Sequence, residues 1–224
     1  MHQLTLDNVV AHSFRERQRA IDRYIVRNKA RYTSFARAIT PDIEDDEQVW
    51  SRVAFAILSA NAPFASAVKA LTYAIEHRGR LDTFMLAGLN MVPAKKTWLD
   101  AIPQPAHLIR ESGDTWHSYR MRLTGIKGLG LAKASFAACL LYPLTADLAC
   151  LDTHMQKVYC GHTSFRSLSV TQYLTVEGEV RKVAKRHGLH TFLAQWLIWD
   201  HARGTVNDHD IFPGSHKDDA IASW

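Results

Sequence analysis

Apolar residues in this 224-residue chain recur three or four positions apart, and no stretch alternates β-branched with polar residues. The pattern predicts helix from end to end and an all-α fold. A first helix, basic and weakly amphipathic, is expected from Asp7 to Arg31. A second starts near Asp45 and sets Val49, Trp50, Val53, Ile57 and Leu58 on one face before Asn61 and Pro63 interrupt it. Pro63 suits the first turn of a third, whose stripe is Phe64, Val68, Leu71 and Ile75 and whose stop is Gly79. Shorter helical segments are expected near 81–89, 93–101 and 105–112, with Asp114 as cap of the helix after them.

That helix leads to a short glycine hairpin, Gly128-Leu129-Gly130, and then to a helix from Leu131 to Tyr142 that stops at Pro143. A loop from Pro143 to Leu151 delivers Asp152 to the N-terminus of the next helix. Two longer helices, 169–187 and 190–203, end at Gly188 and Gly204. The first helix and these last two are expected to pack together, since their apolar faces would otherwise meet water. The chain reads as a single two-lobed domain over 1–224. One lobe takes about 1–44 and 162–224, and the other about 45–161 with a helix-hairpin-helix at 115–142.

With 47% hydrophobic and 22% charged residues the chain has an ordinary globular composition, and no apolar run approaches the roughly 20 residues of a membrane span. Met1 to Val10 shows no export signal, which points to an intracellular, cytoplasmic address and no membrane partner. Cys139, Cys150 and Cys160 have no metal-ligand spacing and read as reduced thiols. The tail residues His201, Asp208, His209, Asp210, His216 and Asp218 also match no closed metal site and read as solvated.

A net charge of +5 is compatible with nucleic acid without requiring it. Its distribution says more. Residues 1–40 hold eight Arg or Lys against three acids, residues 41–50 hold five acids and no base, and residues 110–133 hold five bases against two acids. The hairpin therefore lies in a basic stretch. Two glycines one residue apart allow a tight turn and clear side chains from the path of a phosphate. The N–H groups of the turn and the following helix can then point at an anion, with Lys127 and Lys133 beside them. The same Gly-x-Gly could equally serve only to pack two helices.

Three separated stretches give the hairpin its context. They are Ile57-Leu58-Ser59-Ala60-Asn61 with Ser66 to Leu71; the hairpin with Ala134 and the downstream Leu151-Asp152-Thr153-His154-Met155; and Ala194-Gln195-Trp196-Leu197-Ile198-Trp199. On these the chain resembles the helix-hairpin-helix DNA glycosylase superfamily, nearest to its 8-oxoguanine and endonuclease III-like branches. The resemblance implies a monomer that binds double-stranded DNA, flips out one modified base and cuts its N-glycosidic bond.

Cleavage of that bond builds positive charge on the deoxyribose, which a nearby carboxylate stabilises. Asp152 is the candidate for that role, and it can also be the N-cap of its helix. The resemblance implies that His154 donates to a DNA phosphate and that Asn61 enters the gap left by the extruded base. Their plainer readings are a surface residue and a turn. Gln195 and Trp199, one turn apart, would stack on and hydrogen-bond a base, or else simply pack. DNA contacts are thus expected from Lys127, Gly128, Gly130, Lys133, His154 and Asn61. No metal and no organic cofactor is expected for the cleavage, beyond a possible structural monovalent cation at the hairpin.

Bifunctional members of the superfamily carry a lysine nucleophile two residues after the second hairpin glycine. Ala132 stands there, and Lys133 is turned from that position by about 100°. No efficient lyase step is expected. Two alternatives stay open. One is a phage-type enzyme that transfers an amine-bearing group onto a thymine-derived base, for which the Trp199 to Gly204 stretch leaves room. The other is a DNA-binding protein without catalysis. The address follows the reading: nucleoid-associated, or a phage-infected cell.

Overall fold

The apolar stripe of the first helix does not stop at Arg31. Tyr32 and Ala36 continue the buried line of Ile21 and Ile25, and in the computed structural model α1 runs over Leu6–Ala38. It ends where Thr40 and Pro41 break the repeat. The structure describes residues 6–76, 88–160 and 168–203, with side chains from residue 16 onward. Gly79, most of the 81–89 segment, Gly204 and the tail residues Asp208, His209, Asp210, His216 and Asp218 lie outside the described residues.

The described elements are all helical: α2 Asp46–Leu58, α3 Phe64–Glu76, α4 Val92–Asp100, α5 Trp116–Leu123, α6 Leu131–Leu141, α7 Thr153–Cys160, α8 Val170–His187 and α9 Thr191–Arg203. Local chemistry sets their ends. Asp45 accepts from the N–H groups of Glu47 and Gln48 at the start of α2. Ser169 and Gln172 form a reciprocal capping box on α8, which Gly188 closes in the left-handed region at φ 64°.

Two expectations are corrected. The 105–112 segment is only a 3₁₀ turn, Pro105–His107. The chain after it is held by side chains instead of a helix ladder: Arg122 donates to the carbonyls of His107 and Ile109, and Tyr142 Oη accepts from the Arg110 N–H. Asp114 does not cap α5. Thr115 does, accepting from the Ser118 N–H at 3.0 Å, while Asp114 pairs with Arg122 at 2.5 Å. That guanidinium holds the Asp114 carboxyl below its usual range.

Two apolar clusters form the interior. The first gathers α2 and α3 with Leu99, Tyr119, Leu123 and the buried face of α6. The second gathers α1, α8 and α9 with Leu151 and Met155. Trp196 packs against both. As the pattern implied, α1 lies against α9 and α9 against α8. The first turn of α6 borders the second cluster through Leu131 and Ala132, which brings the hairpin's second helix to the chain that precedes α7.

A buried polar network fixes that chain. Arg120 and Glu177, both fully buried, pair at 2.7 Å. Glu177 also accepts from the Ala149 N–H at 2.9 Å and from Arg181 at 3.0 Å. Tyr173 Oη donates to the Ala149 carbonyl at 2.5 Å and accepts from the Leu151 N–H at 3.1 Å. Glu177 and Tyr173, both on α8, thereby hold two of the residues that lead into Asp152.

Candidate active site

Asp152 sits at the N-terminus of α7, half-buried. Its Oδ1 accepts from the N–H groups of His154 and Met155, each at 3.0 Å, so it caps the helix. Its Oδ2 accepts from the Trp199 indole N–H at 2.6 Å. A carboxylate bound this way is fixed in rotamer and still partly open. It can face a developing positive charge without first paying to become ordered.

Trp199 ties the site together. The exposed His154 ring meets it edge-on, centroids 6.0 Å apart, and the Arg203 guanidinium lies over it at 4.3 Å. Gln195, one turn earlier on α9, is 6% exposed. Among the described residues its buried Oε1 meets no hydrogen-bond partner, an acceptor that a ligand's donor would satisfy. The structure thus brings Asp152, His154 and Trp199 into one group, with Gln195 next to it on the same helix.

The hairpin spans residues 124–130 between α5 and α6. Gly128 adopts φ 90°, and a Cβ there would lie 2.7 Å from the Trp98 ring, so the turn is pressed flat against α4. Gly130 is different. It has φ −73° and ψ 176°, and an added Cβ would meet nothing within 4 Å. Among the described residues the N–H groups of Gly128, Gly130, Leu131 and Ala132 meet no protein acceptor, leaving them directed at solvent or an anion. Lys127 is exposed beside them. Residues 124–130 contain no acid, so a monovalent cation there would be held by neutral oxygens, main-chain carbonyls or the Thr124 hydroxyl.

Lys133 is engaged on the α2 side, where α2 ends at Ser59. Its amine donates to Ser59 Oγ at 3.0 Å and lies 5.2 Å over the Phe136 ring. Burial pushes the Cys150 thiol up to about 12, opposed by the Lys133 charge, which places the amine within electrostatic reach of the residue two before Asp152. Lys95 is also within electrostatic reach of Lys133. This fully buried amine donates to the Leu58 carbonyl at 2.8 Å, and burial together with the Lys133 charge lowers its pKa to about 8. Asn61 is exposed with φ 50°, and its carbonyl accepts from Asn90 at 2.5 Å.

Trp98, Arg120, Tyr173, Glu177 and Arg203 complete this picture and were not singled out from the sequence. One signal was there: Tyr173, Glu177, Val180 and Ala184 share a stripe at helical spacing, which makes Glu177 a charge on an apolar face. Trp98 carried no such signal, because its contact depends on the turn it packs against. Among the described residues no group of three or more His, Cys, Asp or Glu could hold a metal ion, and no helix is long and apolar enough to cross a membrane.

The fold is that of helical DNA glycosylases. The chain is similar to the 8-oxoguanine DNA glycosylase of Thermotoga maritima, with TM-score 0.70 and 18% identity over 87% of this chain and 100% of that one. It is similar as well to the Methanocaldococcus jannaschii 8-oxoguanine glycosylase/lyase in complex with DNA containing 8-oxoguanine, with TM-score 0.68 and 18% identity over 84% and 99%. A second structure of the M. jannaschii enzyme gives TM-score 0.70 and 17% identity over 86% and 96%. No protein-family model and no curated protein sequence matches the chain.

Proposed function

We propose that this protein is a DNA glycosylase-like hydrolase that binds double-stranded DNA through its hairpin, flips out one modified nucleotide and releases its base with water, acting as a monomer. The observation that carries the reading is the half-buried Asp152 carboxylate, locked by its own helix and by Trp199 on a fold shared with 8-oxoguanine DNA glycosylases. As the glycosidic bond stretches, Asp152 stabilises the cationic sugar and orients the attacking water. The unpaired hairpin N–H groups, Lys127 and His154 hold phosphates, and Asn61 fills the vacated stack. Gln195 Oε1 accepts from an N–H on the base edge, which favours a base that carries such a donor.

The reaction stops at the abasic site. Ala132 occupies the position of the missing nucleophile and the Lys133 amine is engaged at Ser59, so borohydride reduction on substrate DNA is expected to trap no adduct. Incubation with duplexes carrying a panel of modified bases, followed by mass analysis, tests the whole reading. Free base with abasic sites supports hydrolysis; a mass gain on an intact nucleoside would replace it with group transfer.

A further inference from the structure

A cavity of about 510 Å³ opens between α1, α7 and α9, beside the group around Trp199 and separate from the hairpin. Its volume falls within the roughly 300–1,000 Å³ of small-molecule sites. The wall is one-sided in charge. Arg17, Lys157 and Arg203 bring three permanent cations, and His154 and His201 bring two imidazoles, while no carboxylate is among the described lining residues.

Three nearby acids are held by other partners. Asp22 pairs with Arg186 at 2.9 Å and His187 at 2.7 Å, Asp200 accepts from Tyr32, and Asp152 is held by Trp199. Among the described residues no ion pair joins Lys157 or Arg203 to a carboxylate. Convergent like charges in a concave site raise its potential and are relieved by an anion. Ile21 and Val158 supply an apolar floor, which a bare inorganic ion would leave uncovered.

We propose that this cavity is a phosphate site of nucleotide size, in which the cations grip the phosphate and Ile21 and Val158 cover the apolar edge of a sugar or base. The nucleotide is either part of the bound strand, flanking the one at Asp152, or a free nucleotide. The first source rests on the proposed function, whereas the second does not.

The test compares the wild-type chain with Lys157→Gln/Arg203→Gln and with Lys182→Gln, which alters an exposed pair with Glu179 on α8. Calorimetry with dTMP and with inorganic phosphate reads the free source. The expected result is dTMP binding tighter than phosphate, weakened about tenfold or more in the double variant and unchanged in Lys182→Gln. Duplexes neutralised at one phosphate at a time by methylphosphonate read the strand source. There, one position should weaken wild-type binding and have no effect on the double variant.

Either pattern supports the site and identifies its ligand. The proposal is overturned if dTMP does not bind and no single phosphate couples to the double variant, or if Lys182→Gln lowers binding as much as the cavity variant does. Base release by wild type is scored separately. A chain that releases base without either pattern refutes this site alone, and one that binds dTMP without releasing base refutes the proposed function alone.

Discussion

Glu177 and Asp152 each accept three hydrogen bonds, and each has one acceptor position left. Around Glu177 the donors are Arg120, Arg181 and the Ala149 N–H, and the carboxylate is completely buried. Around Asp152 the donors are two N–H groups of its own helix and the Trp199 indole, and the carboxylate is half-buried. The partners of Glu177 include a fully buried cation whose desolvation demands it. None of the partners of Asp152 carries a charge. The first arrangement spends the carboxylate on holding the loop before α7; the second holds a carboxylate ready and leaves its charge unneutralised.

The sealed region should therefore fail in stability. Glu177→Ala strands Arg120 inside the protein and is expected to cost about 3–5 kcal/mol in denaturant unfolding. A cost under 1 kcal/mol would mean that the network is not what positions the loop.

The two hairpin glycines sharpen the same contrast on a smaller scale. Gly128→Ala drives a Cβ into Trp98 at a left-handed φ and should cost about 1–3 kcal/mol. Gly130→Ala should cost no more than about 1 kcal/mol, as a weaker N-cap, yet weaken DNA binding, since only a ligand approaches that face. Intact binding by Gly130→Ala would move the phosphate away from the hairpin.

Lys95 gives an effect that depends on pH. Its folded pKa of about 8 lies below the ordinary 10.5, so between those values the unfolded chain keeps a proton that the folded chain has released. The contribution of Lys95 to stability is least favourable below about pH 8 and rises toward pH 10.5. The stability of wild type relative to Lys95→Met should rise across that window. A flat difference would mean that Lys95 stays charged in place.

These contrasts also show what the sequence could reveal. Helix periodicity exposed most elements and the spacing from hairpin to Asp152, because both are local. The length of α1 was missed where Tyr32 and Ala36 prolong a stripe beyond a run of charged residues. Residues 105–112 looked helical because their apolar spacing gave no hint that Arg122, from the next helix, would claim their carbonyls. Arg120 was invisible for a different reason. A charge on a short helix is ordinarily solvated, and only the tertiary fold brings Glu177 and Ser135 to it. In the candidate site, the place of Asp152 as cap of α7 was legible, but its bond to Trp199 was not, since it joins residues 47 apart in sequence.

The most direct measurement is single-turnover release of free base from modified duplexes by wild type and Asp152→Asn, with DNA affinity measured in parallel. The account predicts that wild type releases base and that the variant, still folded and still bound, is slower by about 10²–10³. Equal rates in the two proteins, or no release by wild type from any modified duplex, would contradict it.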